Sequence, residues 1–126
     1  MAEIQAKLQA LSEDYQKLQK ELQETVMARQ KLEAQKQENL GVQKEFKKLK
    51  EGETIFKLIG PVLLKQDQTE AESTVNGRLE WIDKEISRLE GHLKETQAKI
   101  EKKKGEIIQV QTSAQAGGPK PAQARA

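Results

Sequence analysis

Thr54-Ile55-Phe56-Lys57-Leu58-Ile59-Gly60-Pro61-Val62-Leu63-Leu64-Lys65 is the one stretch of this 126-residue chain where apolar and β-branched residues crowd together without helical spacing. It reads as a β-hairpin. Gly60 can take the positive φ that the first position of a tight two-residue loop needs, and Pro61 fixes φ near the value the second position favours. The runs on either side are long enough for strands and too short for helices. Alternation puts Phe56 and Leu58 on one face and Ile55 and Ile59 on the other, with Val62 and Leu64 opposed to Leu63, so both faces carry apolar side chains. A lone two-stranded hairpin is marginal in water. The flanking helices can cover one face at most, which leaves the second face and both open edges to other chains, most simply by extension into a shared sheet or barrel. Residues 54 to 65 therefore predict an obligate oligomer.

With 35% hydrophobic, 3% aromatic and 33% charged residues, the chain is too polar to fill a globular core, and most of it must lie on solvated surface. A formal net charge of +2 gives no overall pull towards nucleic acid or an anionic membrane. Cysteine is absent, which removes disulfides and thiolate chemistry and fits a reducing compartment. Met1-Ala2-Glu3-Ile4 opens directly into amphipathic helix without the apolar run of a signal peptide, and no stretch approaches the roughly 18 apolar residues of a membrane span. The expectation is a soluble, elongated, cytoplasmic protein.

Ahead of the hairpin, apolar residues fall at Ile4, Leu8, Leu11, Tyr15, Leu18 and Leu22, alternating steps of four and three as the a and d positions of a coiled coil do. The same register continues through Thr25, Arg29, Leu32, Lys36, Asn39 and Gln43 before recovering at Phe46, so the seam turns polar in its second half. Val26, Leu40, Val42 and Leu49 lie off it and mark either a local register shift or a face that meets the hairpin. Gly41 suggests a bend or a close approach. This helix is expected over residues 3–51, stopping near Glu51-Gly52 with Lys47, Lys48 and Lys50 complementing its dipole.

Beyond the hairpin, assigned to residues 54–66, Thr69 and Glu72 have capping-box spacing and open a second helix over residues 69–112. Its seam is cleaner, running Val75, Leu79, Ile82, Ile86, Leu89, Leu93, Thr96, Ile100, Lys103, Ile107 and Val110. At about 1.5 Å per residue each helix reaches on the order of 60 to 70 Å. The short connector forces them back alongside one another, and pairing outward from it sets Phe46 against Val75, Leu32 against Leu89, Leu22 near Ile100 and Leu11 near Val110. The fold class is thus mainly α, a long antiparallel two-helix coiled coil with one β-hairpin at the connection. Residues 1–112 form a single domain, and residues 113–126, rich in Ala, Gly and Pro, read as a disordered tail. If the second helix fades near Thr112, Ile4 and Leu8 project past their partner, and with Leu11, Ile107, Ile108 and Val110 they form a small apolar patch at the free end. Fraying of an ordinary coiled coil is the plainer reading of that patch.

Little else carries chemistry. His92 is the single histidine, without a second histidine or cysteine to complete a metal site, and reads as surface decoration. Carboxylates such as Glu13 and Glu90 sit in i, i+4 pairs with Lys17 and Lys94, a solvated pattern rather than an acid/base site. Lys102-Lys103-Lys104 is flanked by Glu101 and Glu106, which argues against a nucleic-acid groove. No catalytic residue, metal site or cofactor motif emerges. Trp81 falls between seam residues Leu79 and Ile82 and so points away from the partner helix. It is expected to pack at the oligomer hub, the alternative being simple exposure.

A helix, a connector with one hairpin reading Phe56-Lys57-Leu58-Ile59-Gly60-Pro61-Val62-Leu63-Leu64-Lys65-Gln66, and a second helix through Val75 and Arg78-Leu79-Glu80-Trp81-Ile82 together resemble the β class of prefoldin subunits over roughly residues 1–112. The resemblance implies a heterohexamer of two α-type and four β-type subunits, joined by their hairpins in a β-barrel platform from which coiled-coil arms hang. It further implies arm tips that hold non-native chains, notably actin and tubulin, and pass them to the cytosolic chaperonin without ATP. Carried onto this sequence, Ile4, Leu8, Leu11, Ile107, Ile108 and Val110 would contact clients. Ile55, Phe56, Leu58, Ile59, Gly60, Pro61, Val62, Leu63, Leu64 and Trp81 would serve assembly. A structural coiled-coil tether is the rival reading, and an RNA-binding helical arm, disfavoured by the net charge, a third.

Overall fold

Strong helix formers fill both flanks of the hairpin and no proline interrupts them, so each flank propagates as one long helix. The computed structural model describes residues 1–49 and 53–116, in the order α1 (Ala2–Lys48), β1 (Ile55–Ile59), β2 (Val62–Gln66) and α2 (Gln68–Ala116). At the end of α1 the Leu49 amide donates to the Phe46 carbonyl at 3.2 Å, tightening the final turn. The helix thus stops at Lys48, short of the expected 51, while Glu51-Gly52 itself and the tail from residue 117 on lie outside the described residues.

Asp67, not Thr69, caps α2. Its Oδ2 accepts from the Glu70 amide at 3.1 Å and its carbonyl from the Ala71 amide at 3.0 Å, so the helix starts at Gln68. The Asp-x-x-Glu spacing from Asp67 to Glu70 is the true capping pattern, and Thr69 already sits inside the first turn. At its other end α2 runs to Ala116, four residues beyond the expected Thr112. Gln111 to Ala116 contains no glycine or proline, so nothing in it stops the helix.

Two compact units share these helices. In one, Met1–Val26 packs with the part of α2 that begins at Gly91; the other, Met27–Glu90, contains the hairpin. Within both, every seam position named above is buried or half-buried, so the heptad register runs unbroken. No shift occurs at Val26 or Val42, both of which are exposed.

In the hairpin-bearing unit the buried apolar residues are Ala71, Val75, Leu79, Ile82, Ile86 and Leu89, all from α2. The facing α1 seam is half-buried and carries the polar residues Arg29, Lys36, Asn39 and Gln43. Three of these end on α2 partners spaced seven residues apart. Gln43 Nε2 donates to Asn76 Oδ1 at 2.8 Å, Lys36 Nζ meets Asp83 Oδ1 at 2.9 Å, and Arg29 Nη2 donates to Glu90 Oε2 at 3.1 Å. The Asp83 hydrogen bond and charge hold the Lys36 ammonium above its ordinary pKa. Asn39 instead donates back to the Gln35 carbonyl at 2.8 Å. Gly41 faces open space, so no close approach explains it.

The other unit buries Leu11, Ile100, Thr25 and Thr96, with the Thr25 hydroxyl donating to the Glu21 carbonyl at 2.8 Å. Lys103 spans the pair to Asp14 at 3.5 Å, and His92 Nε2 lies 2.9 Å from Glu21 Oε1. Val110 shares a groove with Ile4 and Lys7, which displaces the expected Leu11–Val110 pairing by a turn or more.

Candidate assembly and binding surfaces

The hairpin closes at Gly60, whose φ of 58° is the left-handed conformation that glycine adopts without a Cβ penalty. The strands pair antiparallel, Ile55 with Gln66, Phe56 with Lys65, Lys57 with Leu64, Leu58 with Leu63 and Ile59 with Val62. Paired residues share a face. One face therefore presents Ile55, Ile59, Val62 and Leu64 around Lys57 and Gln66, and the other presents Phe56, Leu58 and Leu63 beside Lys65. Because a two-residue loop makes Ile59 and Val62 a hydrogen-bonded pair, the backbone groups of Phe56, Leu58, Leu63 and Lys65 point outward along the two edges.

Among the described residues nothing covers either face. Only Ile55 and Gln66, at the foot, are half-buried, whereas Phe56 is 54%, Leu58 67% and Leu63 61% exposed. The sequence allows the helices to cover one face at most, and they cover neither. They fall short because their side chains reach only the foot of the strands. Fully burying an aliphatic or aromatic side chain yields about 1.5–3 kcal/mol, so the roughly half to two thirds left in water at Phe56, Leu58, Ile59, Val62, Leu63 and Leu64 leaves on the order of 5–10 kcal/mol unrealised.

Beneath the foot lies an open groove of about 470 Å³, floored by Phe46, Ala71 and Val75, as the expected Phe46–Val75 pairing requires, with Val42 and Leu49 on its α1 side and Arg78 at its rim. Val42 and Leu49 thus belong to a face that meets the hairpin. Trp81 is 56% exposed, one turn of α2 beyond Arg78 and outside the groove. Sequence reasoning missed Ala71 and Arg78 as groove residues. Their signal was their spacing from seam residue Val75, on the side where the strands enter.

In the unit without the hairpin the six expected contact residues separate. Ile108 is 56% exposed; Ile4, Leu8, Ile107 and Val110 are half-buried; Leu11 is 7% exposed and faces its own seam. The extension of α2 to Ala116 overturns the expected overhang, because Ile4 lies in a groove of about 400 Å³ with Val110 and Ser113 rather than past its partner. Among the described residues no cluster of histidine, cysteine or carboxylates could hold a metal, and no helix is long and apolar enough to cross a membrane.

Residues 9–114 match the family model described as prefoldin subunit. The chain is 45% identical over 109 residues to prefoldin subunit 6 of Saccharomyces cerevisiae, covering 86% of this chain and 96% of that one. It is 44% identical over 126 residues to prefoldin subunit 6 of Homo sapiens, covering 94% and 98% respectively. Among solved structures, the prefoldin beta subunit from Thermococcus strain KS-1 superposes with a TM-score of 0.73 at 21% identity, over 80% of this chain and 89% of that one. The beta2 subunit from the same strain gives 0.62 at 24% identity, over 72% and 97%. At those identities the structural likeness is one of fold, two long helices joined through a single hairpin, and the sequence match adds the family: this chain belongs to the prefoldin subunits.

Proposed function

We propose that this chain is a β-class subunit of a prefoldin chaperone complex in the cytoplasm, assembled through its hairpin and gripping unfolded chains with the far end of its helix pair. The carrying observation is the hairpin with two apolar faces and two open edges, which its own helices leave in water. Residues Ile55, Phe56, Leu58, Ile59, Val62, Leu63 and Leu64 join the hairpins of α- and β-class sister subunits in a hexamer, Gly60 and Pro61 shape the turn, and Trp81 packs against a neighbouring chain. Ile108, with the half-buried Ile4, Leu8, Ile107 and Val110, supplies the client grip. Leu11 contributes only where the helix ends part. Several weak patches on separate subunits hold one non-native chain, of the actin or tubulin kind, by avidity. The client then passes to the cytosolic chaperonin without ATP. Deleting residues 54–65 tests the proposal. Joint loss of assembly with other prefoldin subunits and of aggregation suppression for denatured actin is the expected result. A deleted chain that still assembles through its helices would make it a coiled-coil tether.

A further inference from the structure

The polar half of the α1 seam is organised. Gln43, Lys36 and Arg29 occupy successive a positions, seven residues apart, and each reaches the residue that follows a buried d position of α2, namely Asn76 after Val75, Asp83 after Ile82 and Glu90 after Leu89. The result is a ladder of three rungs between 2.8 and 3.1 Å, one amide pair followed by two ion pairs of the same polarity, cation always on α1. We propose that Arg29, Lys36 and Gln43 are specificity-determining residues that let α1 pair with an α2 and bar it from pairing with another α1.

Counting the alternatives carries the argument. Two copies of α1 aligned in parallel would place Arg29 opposite Arg29 and Lys36 opposite Lys36 across the seam, like charges with no anion at the same layer. Two parallel copies of α2 would set Glu90 at an e position against Glu85 at the partner's g position, a like-charge contact in place of the Arg29 cation. Of these arrangements the antiparallel α1–α2 pair satisfies all three rungs, with Arg29 and Lys36 half-buried in the seam. Apolar residues at those a positions would pack with equal success against any heptad seam, so the polar choice trades stability for choice of partner. An α2 from a second copy fits as well as the chain's own; the ladder selects the kind of helix. On the assembly proposed above, where hairpins bring several helix pairs close together, α1–α1 contact is the competing state this excludes.

The absence of cysteine provides a clean reporter. Leu32→Cys lies at a d position between Arg29 and Lys36, where a parallel α1–α1 pair would oppose the two thiols. Disulfide dimers are then quantified after mild oxidation of the purified full chain, with helical content checked by circular dichroism. Adding Arg29→Leu, Lys36→Leu and Gln43→Leu is expected to raise the dimer by about two- to fivefold or more over Leu32→Cys alone, since two like-charge layers have been removed. A reversed ladder, Arg29→Glu with Glu90→Arg and Lys36→Glu with Asp83→Lys, should stay at the parent level because like charges still oppose one another in α1 pairs. Dimer unchanged in the leucine variant, or raised in the reversed ladder as much as in the leucine variant, overturns the proposal. The readout requires neither sister subunits nor client, so it fails or succeeds independently of the chaperone reading.

Discussion

Replacing Leu58 and Leu63 together by serine separates what the hairpin does for its own chain from what it does for others. The two residues face each other across the strands and are 67% and 61% exposed. Full burial of a leucine is worth about 1.5–3 kcal/mol, so the third already buried gives roughly 0.5–1 kcal/mol each to the single chain, and this is confined to the hairpin. The remaining two thirds, about 1–2 kcal/mol each, is realised only when another chain covers them. For the pair, about 2–4 kcal/mol of association is lost per subunit, a weakening of roughly 30- to 1,000-fold. Helix content and the thermal midpoint of the helix pair, followed by circular dichroism, should match the parent. Co-assembly with other prefoldin subunits, followed by native mass spectrometry across a dilution series, should fail at concentrations where the parent is fully assembled. Assembly with unchanged concentration dependence would refute the reasoning, and so would a collapse of helical signal, which would mean that these leucines belong to the chain's own core.

Three further expectations follow from burial, backbone and charge. Ile108→Ser should leave stability nearly unchanged and reduce suppression of denatured-actin aggregation by the assembled complex, whereas Leu11→Ala should cost about 2–5 kcal/mol in a denaturant titration, because its side chain is buried in the seam. Gly91→Ala should stabilise by about 1 kcal/mol, raising the thermal midpoint by roughly 4 °C, since Gly91 is interior to α2 and an added Cβ meets nothing within 4 Å. The Lys36–Asp83 hydrogen bond raises the folded-state pKa of Lys36 above 10.5, so its stabilisation is fully present below that value and is lost as pH rises through the higher folded value. Thermal scans at neutral pH and above pH 10.5 should show Lys36→Arg, which stays protonated, gaining relative to the parent only in the alkaline range.

What the sequence disclosed depended on whether the governing interaction was local. The a and d spacing from Ile4 to Phe46 and from Val75 to Val110 names the buried side of each helix without reference to a partner, and every one of those positions is buried or half-buried. Gly60-Pro61 likewise specifies its turn by backbone conformation alone. The polar partners across the helix pair were not legible, because an a-position lysine reads as a weakness until the offset that sets Asp83 beside it is known. The α2 boundaries went wrong for a related reason. Asp67 and Thr69 are both good caps, and the chain chose the one that follows directly on β2, while composition suggested a tail where Ser113 to Ala116 still continue the helix. Coverage of the hairpin needs the reach of the helices in three dimensions, so the sequence announced that the strands are apolar on both faces but not that both would stand clear.

Amide hydrogen exchange over Ile55–Gln66, compared between the chain alone in its most dilute, monomeric fraction and the chain assembled with other prefoldin subunits, tests the dependence on sister chains most directly. The outward-pointing amides of Phe56, Leu58, Leu63 and Lys65 should exchange freely in the first case and become protected in the second. Strong protection of those four amides in a folded monomer would contradict the account.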